Sequence, residues 1–316
     1  MYLLANSAAR AGVEAGIASL RRGDALLDVL ETVLRLAESH REERSVGLGG
    51  IPNILGTVEL DASLMDGRTR RTGSVAALAG FLHPVSVARQ LMALLPHELL
   101  VGAGAARFAR EIGAEEAELL TPESEAEWRD FLARSLPPES PLRGRIDDPA
   151  ALRAAVRDDD LPLSELVRRS VEVVAKRDTA VVLVGRDTDC ASGTTTSGWP
   201  FKYPGRLGDS AVIGAGHYAD SRFGAAACTH TGEMAIRASS ARFLVLALER
   251  GATPEAAVRM ALADLQALRE GLLADLVLHV VDRDGNCFAA STGVAADYYW
   301  WREGMTTPDH RSVPVL

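Results

Sequence analysis

Residues 178–198 form the stretch DTAVVLVGRDTDCASGTTTSG, in which an Asp-Thr pair stands directly before a run of apolar, mostly β-branched residues. This run, the polar turn after it and the second run that follows predict two neighbouring strands joined by a hairpin turn. Thr179 would then occupy the first position of a buried strand. A hydroxyl at such a position can face a ligand from a rigid element, so this pair is the first candidate for chemistry.

The segment before the pair, from Thr121 to about Lys176, differs from the rest of the chain. It contains PPESP, several acidic pairs and few aromatic residues, and its hydrophobic periodicity is weak. Such a composition predicts an exposed, partly helical and mobile connector. A mobile connector that ends directly at a core strand favours a cleavage event at the junction, between Asp178 and Thr179.

The flanking sequence predicts a mixed protein of helices and strands. Apolar positions recur at helical spacing before the connector, and short alternating runs bounded by glycine, proline and asparagine predict strands on both sides of it. The predicted elements are one or two helices over 7–36, a glycine-rich loop at 45–56, a hairpin of 58–67 with 73–75, a helix at 85–95, a strand at 98–102, a helix at 105–112, a strand at 224–230, a long helix at 233–250, a helix at 254–270 and a strand pair over 276–292.

Composition narrows the classes of function. The formal net charge is -9, with acidic and basic residues mixed along the 316-residue chain, which argues against a nucleic-acid or polybasic membrane surface and favours small-molecule substrates. The three cysteines are far apart and fit neither a disulfide framework nor a zinc site. No signal peptide or membrane span is expected either, so we expect a cytoplasmic protein. The sequence predicts neither a metal nor a cofactor.

A threonine at a chain terminus carries its own base. Its hydroxyl is a weak nucleophile, but a free α-amine with a pKa of about 8 can accept the hydroxyl proton near neutral pH. The preceding peptide bond must therefore be broken first. The hydroxyl of Thr179 could attack the Asp178 carbonyl carbon, with Asp178 assisting, although an Asp-Thr pair is more often an ordinary start of a strand.

Further polar motifs follow in the order expected of a binding site. GRLGDS, residues 205–210, places Arg206 and Asp209 three positions apart. A guanidinium and a carboxylate could bind the α-carboxylate and α-ammonium of one amino acid, or they could form a surface ion pair with each other. Thr229, in ACTHTGE at 227–233, could help to line an oxyanion pocket.

Taken together, these motifs resemble the glycosylasparaginase and plant-type asparaginase (isoaspartyl peptidase) family of N-terminal nucleophile hydrolases. The order D-T, GTTTSG, GRLGDS, GAGHYAD and CTHTGE carries the resemblance in the second half, and SVGLGGIPN, LDASLMDG and HPVSVAR carry it in the first. The resemblance implies an α+β fold, namely a four-layer αββα sandwich. It also implies a precursor that cleaves into an α-subunit, residues 1–178, and a β-subunit, residues 179–316, which remain one folded unit and commonly pair as a homodimer.

The resemblance also implies roles for single residues. Thr179 would be the nucleophile, Thr196 the threonine that tunes it, and Thr229 the oxyanion donor. Arg206 and Asp209 would bind the substrate carboxylate and ammonium. The implied reaction is hydrolysis of β-aspartyl amide bonds, in isoaspartyl dipeptides or asparagine, through a threonyl ester.

The sequence departs from the family pattern at three places. Arg177 precedes Asp178 where glycosylasparaginases have histidine, and His230 replaces a glycine, either as a third substrate ligand or pointing away. No tryptophan precedes Trp128 to stack on a sugar, and Trp199 could shape a leaving-group pocket or lie in the core. Alternatives are therefore a glycosylasparaginase acting on N-acetylglucosaminyl-asparagine, a specialised biosynthetic amidase, or a catalytically idle binding relative. Lys202 is expected to be a surface or structural residue.

Overall fold

The computed structural model describes residues 1–156, 163–173 and 178–316, which form two β-sheets covered by helices. The larger sheet has eight strands in the order β12-β11-β1-β5-β6-β2-β3-β4, and the smaller has four in the order β10-β9-β8-β7. The strands are β1 (Tyr2–Asn6), β2 (Leu60–Asp66), β3 (Thr72–Leu78), β4 (Leu99–Val101), β5 (Ala180–Arg186), β6 (Asp189–Thr196), β7 (His217–Asp220), β8 (Gly224–His230), β9 (Leu276–Asp282), β10 (Cys287–Ser291), β11 (Asp297–Arg302) and β12 (Asp309–Ser312).

The helices confirm most of the helical spacing in the sequence. The described α-helices are α1 (Val13–Arg22), α2 (Leu26–Glu38), α3 (Pro84–Leu94), α4 (Gly102–Glu111), α5 (Pro122–Ser135), α6 (Pro149–Ala155), α7 (Leu163–Val173), α8 (Gly232–Ala238), α9 (Ser240–Glu249) and α10 (Pro254–Gln266). The single long helix predicted at 233–250 is wrong. It breaks at Ser239, whose backbone φ of 49° lies in the left-handed region and ends α8 before α9 begins. The next helix ends at Gln266 rather than residue 270.

Alternating side chains of β5 separate two layers of core. Val182 and Val184 pack with residues of helices α1 to α4, whereas Val181 and Leu183 pack with residues of the smaller sheet. The smaller sheet alternates in the same way, since Ala225 faces the larger sheet and Ala226 faces helices α8 to α10. Successive side chains of a strand point to opposite faces, so each strand contributes to both layers.

Strand pairing determines where the candidate site forms. Strands β5 and β6 are the predicted antiparallel hairpin, and Ala180 is paired with Thr195. The start of β5 therefore lies beside the end of β6. On the other side of β5 lies β1, paired through Ala5 and Val182, so the end of β1 also reaches this edge. The first strand of the chain and two strands that lie 172 or more residues later meet at one point.

The segment after Thr121 is not the exposed connector that the sequence predicts. Trp128 is fully buried and its indole N–H donates to the Ile54 carbonyl at 3.0 Å, while Phe131 stacks on Phe201 with ring centroids 4.3 Å apart. The described part is helical, as predicted, and its apolar residues form a separate small core beneath the 45–56 loop. The part of the predicted connector at 157–162 and 174–177, including Arg177, lies outside the described residues.

Other predictions concern cysteines and membranes. Cys190, Cys228 and Cys287 are free thiols. Trp300 and Trp301, which the sequence assigns no role, are buried core residues of β11. Of the helices that the structure describes, each is too short or too polar to span a bilayer.

Candidate active site

Thr179 and Thr196 line the same small cavity as Arg206, Asp209 and His230, whereas Thr229 is not among its lining residues. The Thr179 side chain lies at the start of β5 and is 7% exposed. Thr196, at the end of β6, donates from Oγ1 to the Ser45 carbonyl at 3.2 Å and accepts from the Gly198 N–H at 2.9 Å. The cavity has a volume of about 10 Å³. Its lining residues are Thr179, Thr196, Gly198, Trp199, Arg206, Gly208, Asp209, Ser210 and His230.

The peptide bond between Asp178 and Thr179 is held by hydrogen bonds on both of its residues. The Thr179 N–H donates to Asp178 Oδ1 at 2.8 Å, so the carboxylate folds back over its own peptide bond. Asn6, at the end of β1, donates from Nδ2 to Asp178 Oδ2 at 2.7 Å and to the Thr179 carbonyl at 2.7 Å. Its own side-chain oxygen accepts from the Val181 N–H at 2.9 Å.

His230 faces the Asp-Thr pair rather than pointing away. Its Nδ1 lies 2.9 Å from Thr229 Oγ1 and 3.6 Å from Asp178 Oδ1. Loss of solvent around Asp178 raises the pKa of its carboxyl group, and the neighbouring His230 and the hydrogen bonds from Thr179 and Thr229 lower it. The backbone φ of His230 is 84°, a value that favours glycine, which explains why a glycine in this place would be the unstrained choice. Thr229, His230 and Asp178 thus form one polar cluster at the candidate cleavage site.

Arg206 is held by Glu233, not by Asp209. Its Nε and Nη2 donate to Glu233 Oε1 at 3.1 and 2.7 Å, and its guanidinium lies over the Trp199 ring, 5.2 Å from the centroid. The alternative of an ion pair between Arg206 and Asp209 is therefore not what the structure has. Trp199 lines the cavity.

Asp209 is a buried carboxylate that lines the cavity. It is 4% exposed, and its Oδ2 has no hydrogen-bond partner among the described residues. Burial raises the pKa of Asp209 to about 7, opposed by the nearby Arg206. A Cβ on Gly232 would lie 2.7 Å from Asp209 Oδ1, so the glycine after Thr231 leaves the space that this carboxylate occupies. Asp209 is thus a buried carboxyl group whose charged form is destabilised by the loss of solvent.

Two carboxylates of the segment 58–63 accept hydrogen bonds from the backbone of the loop 205–210. Glu59 Oε1 accepts from the Gly205 N–H at 3.1 Å, and Asp61 Oδ2 accepts from the Gly208 N–H at 3.4 Å. Lys202 is buried rather than on the surface, and it donates to the Glu59 carbonyl at 3.2 Å. Burial lowers the pKa of the Lys202 ammonium, and the Asp61 and Glu59 carboxylates oppose that change.

The structure adds site residues that the motif analysis did not identify. Asn6 and Glu233 touch the candidate nucleophile and the candidate carboxylate ligand, and Glu59 and Asp61 position the loop between them. The sequence does contain a signal for Asn6, because an asparagine at the end of the apolar run YLLAN would be buried and a buried polar group needs partners. Among the described residues, no group of three or more histidine, cysteine or carboxylate side chains is arranged to hold a metal.

Nearly the whole chain is similar in sequence to known amide hydrolases. A sequence profile described as asparaginase matches residues 5–300. The chain is 33% identical over 304 residues to the plant-type L-asparaginase of Pyrococcus furiosus, covering 95% of this chain and 90% of that protein. The plant-type L-asparaginase of Thermococcus kodakarensis is 32% identical with the same coverage. The N(4)-(beta-N-acetylglucosaminyl)-L-asparaginase of Elizabethkingia miricola is 35% identical over 243 residues, covering 77% of this chain and 62% of that one.

Proposed function

Since this chain belongs to the asparaginase family of hydrolases, we propose that it cleaves itself between Asp178 and Thr179 and then uses Thr179 to hydrolyse β-aspartyl amides. The observation that carries the proposal is the single cavity at the start of β5, which brings Thr179, Thr196, Arg206 and Asp209 together.

The self-cleavage begins with an acyl shift. Thr179 Oγ attacks the Asp178 carbonyl carbon, the C–N bond breaks, and the proton lost by Oγ passes to the nitrogen, which becomes the new α-amine. The product is an ester between Asp178 and Thr179. Water then hydrolyses this ester, leaving a carboxylate on Asp178 and a free hydroxyl on Thr179.

In the mature enzyme the new α-amine accepts the Thr179 hydroxyl proton as Oγ attacks the side-chain carbonyl of the substrate. Thr229 and backbone N–H groups near it would stabilise the oxyanion, and Thr196 would hold the nucleophile. Arg206 would bind the substrate α-carboxylate in place of Glu233, and Asp209 would bind the α-ammonium. The leaving amine departs, and water hydrolyses the threonyl ester to release aspartate.

The arrangement beyond one polypeptide is part of the same proposal. The two fragments would stay together as one folded unit, a four-layer αββα sandwich, because β1 of the first fragment is paired between β11 and β5 of the second in the larger sheet. A homodimer of such units is expected by resemblance to the family, and the molecular mass in solution tests it.

The test of processing is a denaturing gel of the purified protein. Wild type should yield fragments of 178 and 138 residues, the second beginning Thr-Ala-Val-Val, because the 316-residue chain is cut after Asp178. Thr179→Ala should remain intact, whereas Thr179→Ser and Thr179→Cys should retain some cleavage. Thr188→Ala, in the exposed turn at the far end of the same hairpin, is the matched control and should cleave normally. An intact wild-type chain that hydrolyses β-aspartyl amides would contradict the mechanism.

The second candidate, a glycosylasparaginase, is favoured by the Elizabethkingia relative and by Trp199 in the cavity. Turnover of β-aspartyl-leucine, asparagine and N-acetylglucosaminyl-asparagine by the same cleaved sample separates the two. The leading proposal requires kcat/KM to be highest for the dipeptide or asparagine. A preference for the glycosylated substrate that falls in Trp199→Ala would support the second candidate instead.

A further inference from the structure

Asn6 contacts both residues of the candidate scissile bond and the residue two positions beyond it. Its Nδ2 donates to Asp178 Oδ2 and to the Thr179 carbonyl, at 2.7 Å each, and its Oδ1 accepts from the Val181 N–H at 2.9 Å. The side chain is 1% exposed. Every polar atom of this amide is therefore used on the segment 178–181, and solvent cannot substitute for it.

The strand that carries Asn6 cannot easily shift. In the larger sheet β1 lies between β5 and β11, and it is paired with both along its length. Its side chains also enter both core layers, since Leu3 packs toward the helices and Leu4 toward the smaller sheet. A side chain at the end of such a strand is held in position by the sheet, which is how a site obtains precise geometry.

An amide is the side chain that this position requires. The two N–H groups of asparagine can donate to a carboxylate and a carbonyl at once, while its oxygen accepts from a backbone N–H. Aspartate has the same shape but offers acceptors only, so it would place a second carboxylate beside Asp178. Alanine would leave the Val181 N–H and the Thr179 carbonyl without their partner.

We propose that Asn6 is a positioning residue for self-cleavage, which orients the Asp178 carboxylate and the Thr179 carbonyl so that Thr179 Oγ can attack the Asp178 carbonyl carbon. This inference rests on the proposed function. Asn6 forms no bond to the reacting atoms and exchanges no proton. Its donors keep the carboxylate of Asp178 folded toward the Thr179 N–H, which must receive a proton as the C–N bond breaks.

The role of Asn6 should weaken once the bond is cut. Its contacts with the Thr179 carbonyl and the Val181 N–H then join the two fragments and remain, whereas Asp178 becomes the free C-terminus of the fragment that also contains Asn6. A change at Asn6 should therefore slow maturation more than it slows turnover by the matured enzyme. A side chain that only stabilised the strand would affect both through the folded fraction alone.

The experiment follows maturation of newly made protein. Full-length chains are synthesised in a cell-free system with labelled methionine, synthesis is stopped, and the intact and cleaved bands are followed on denaturing gels. Asn6→Asp is the principal variant, because it keeps the side-chain shape and the acceptor for the Val181 N–H. Asn6→Ala is a second variant, and thermal melting of each is measured. Val258→Ala, which removes buried methyl groups from the core side of α10, is the control for lost stability alone.

The expected result is a cleavage rate about ten- to a hundredfold lower in Asn6→Asp, since donors to a charged group are lost. The matured fraction should keep its KM, with kcat reduced less than the cleavage rate. Val258→Ala should cleave at the wild-type rate even where its melting temperature falls as far. Cleavage of Asn6→Asp at the wild-type rate, or equal slowing in Val258→Ala, overturns the inference. If wild type itself stays intact, the proposed function fails together with it.

Discussion

Glu233 occupies one edge of the Arg206 guanidinium, since Arg206 Nε and Nη2 both donate to Glu233 Oε1. The guanidinium is thereby held in place, with Trp199 on one face, before any substrate arrives. A substrate α-carboxylate must then share the guanidinium with Glu233 or displace it. Arg206 is 18% exposed and Glu233 34%, so this exchange takes place at the mouth of the cavity rather than in the core.

Arg206→Lys keeps the positive charge but loses the planar pair of donors that fits a carboxylate. We expect kcat/KM for β-aspartyl-leucine to fall about ten- to a hundredfold, equivalent to about 1.5–3 kcal/mol in transition-state binding. Self-cleavage should persist because the scissile bond presents no α-carboxylate to this residue. Arg259→Lys, on the exposed face of α10, should change neither rate. Wild-type kinetics in Arg206→Lys would exclude the proposed carboxylate site.

Asp209→Asn should weaken activity while it stabilises the fold. The pKa of Asp209 is raised to about 7 by burial, so the folded state binds this proton more tightly than the unfolded chain does. The free energy of unfolding of wild type therefore decreases as pH rises from about 4 to about 7. Above pH 7 the ionised Asp209 carboxylate destabilises the folded state by a few kcal/mol. Melting temperatures of wild type and Asp209→Asn should be close at pH 4 and diverge toward pH 8, with the variant higher.

The same variant should lose turnover of substrates that carry a free α-ammonium. A substrate acetylated at its α-amino group should be poor for wild type and should lose little more in Asp209→Asn. Parallel melting curves from pH 4 to pH 8, or undiminished turnover of β-aspartyl-leucine, would contradict an ionisable ammonium site at this position.

His230→Gly separates backbone strain from side-chain chemistry. A non-glycine residue at a φ of 84° is strained, by about 1 kcal/mol or more, and glycine relieves that strain. We expect a higher melting temperature together with slower self-cleavage, because the imidazole contact with Asp178 and Thr229 is lost. Ser239→Gly, at a φ of 49° between α8 and α9, relieves similar strain away from the site. It should raise the melting temperature and leave cleavage unchanged; a rate change shared by both variants would show that only strain is involved.

Trp128→Ala tests the small core beneath the 45–56 loop. The indole is fully buried, bonded to the Ile54 carbonyl and packed 3.0 Å from the position of a Gly56 Cβ. Its truncation should cost about 3–5 kcal/mol of unfolding free energy, measured by denaturant titration of the intact Thr179→Ala chain. Trp128→Phe should recover most of the packing but not the hydrogen bond. A loss below about 1 kcal/mol in Trp128→Ala would mean that the segment contributes little to the fold.

Local pattern predicts the hairpin that carries the site. The apolar run 180–184 and the polar turn after it define β5 and β6, and their antiparallel pairing alone brings Thr179 beside Thr196. The helices and strands from Val13 to Glu111 are also predicted to within a few residues, but the first strand, β1, is not predicted. These elements depend on side chains that are close in sequence, so periodicity and turn residues are sufficient to find them.

The parts that escape prediction depend on contacts between distant segments. Asn6 reaches Asp178 only because β1 is paired with β5, and that strand order is not encoded in either segment alone. Glu233 is an ordinary first-turn helix residue until Arg206 is placed beside it. Segment 121–176 has a polar average composition, which hides the spacing of Trp128, Phe131 and Leu132 along one face of α5.

The strand order of the larger sheet has a consequence for how often the protein can fold. On the proposed cleavage, β1 from the first fragment lies between β11 and β5 of the second, and β6 of the second lies beside β2 of the first. The fragments would be interlocked, so that neither can leave without breaking the sheet. Refolding of a nicked and denatured molecule would become a bimolecular reaction, slow at low concentration, where the intact chain needs only its own encounters. The mature protein would thus depend on slow unfolding to keep its structure, because its separated fragments would not refold efficiently.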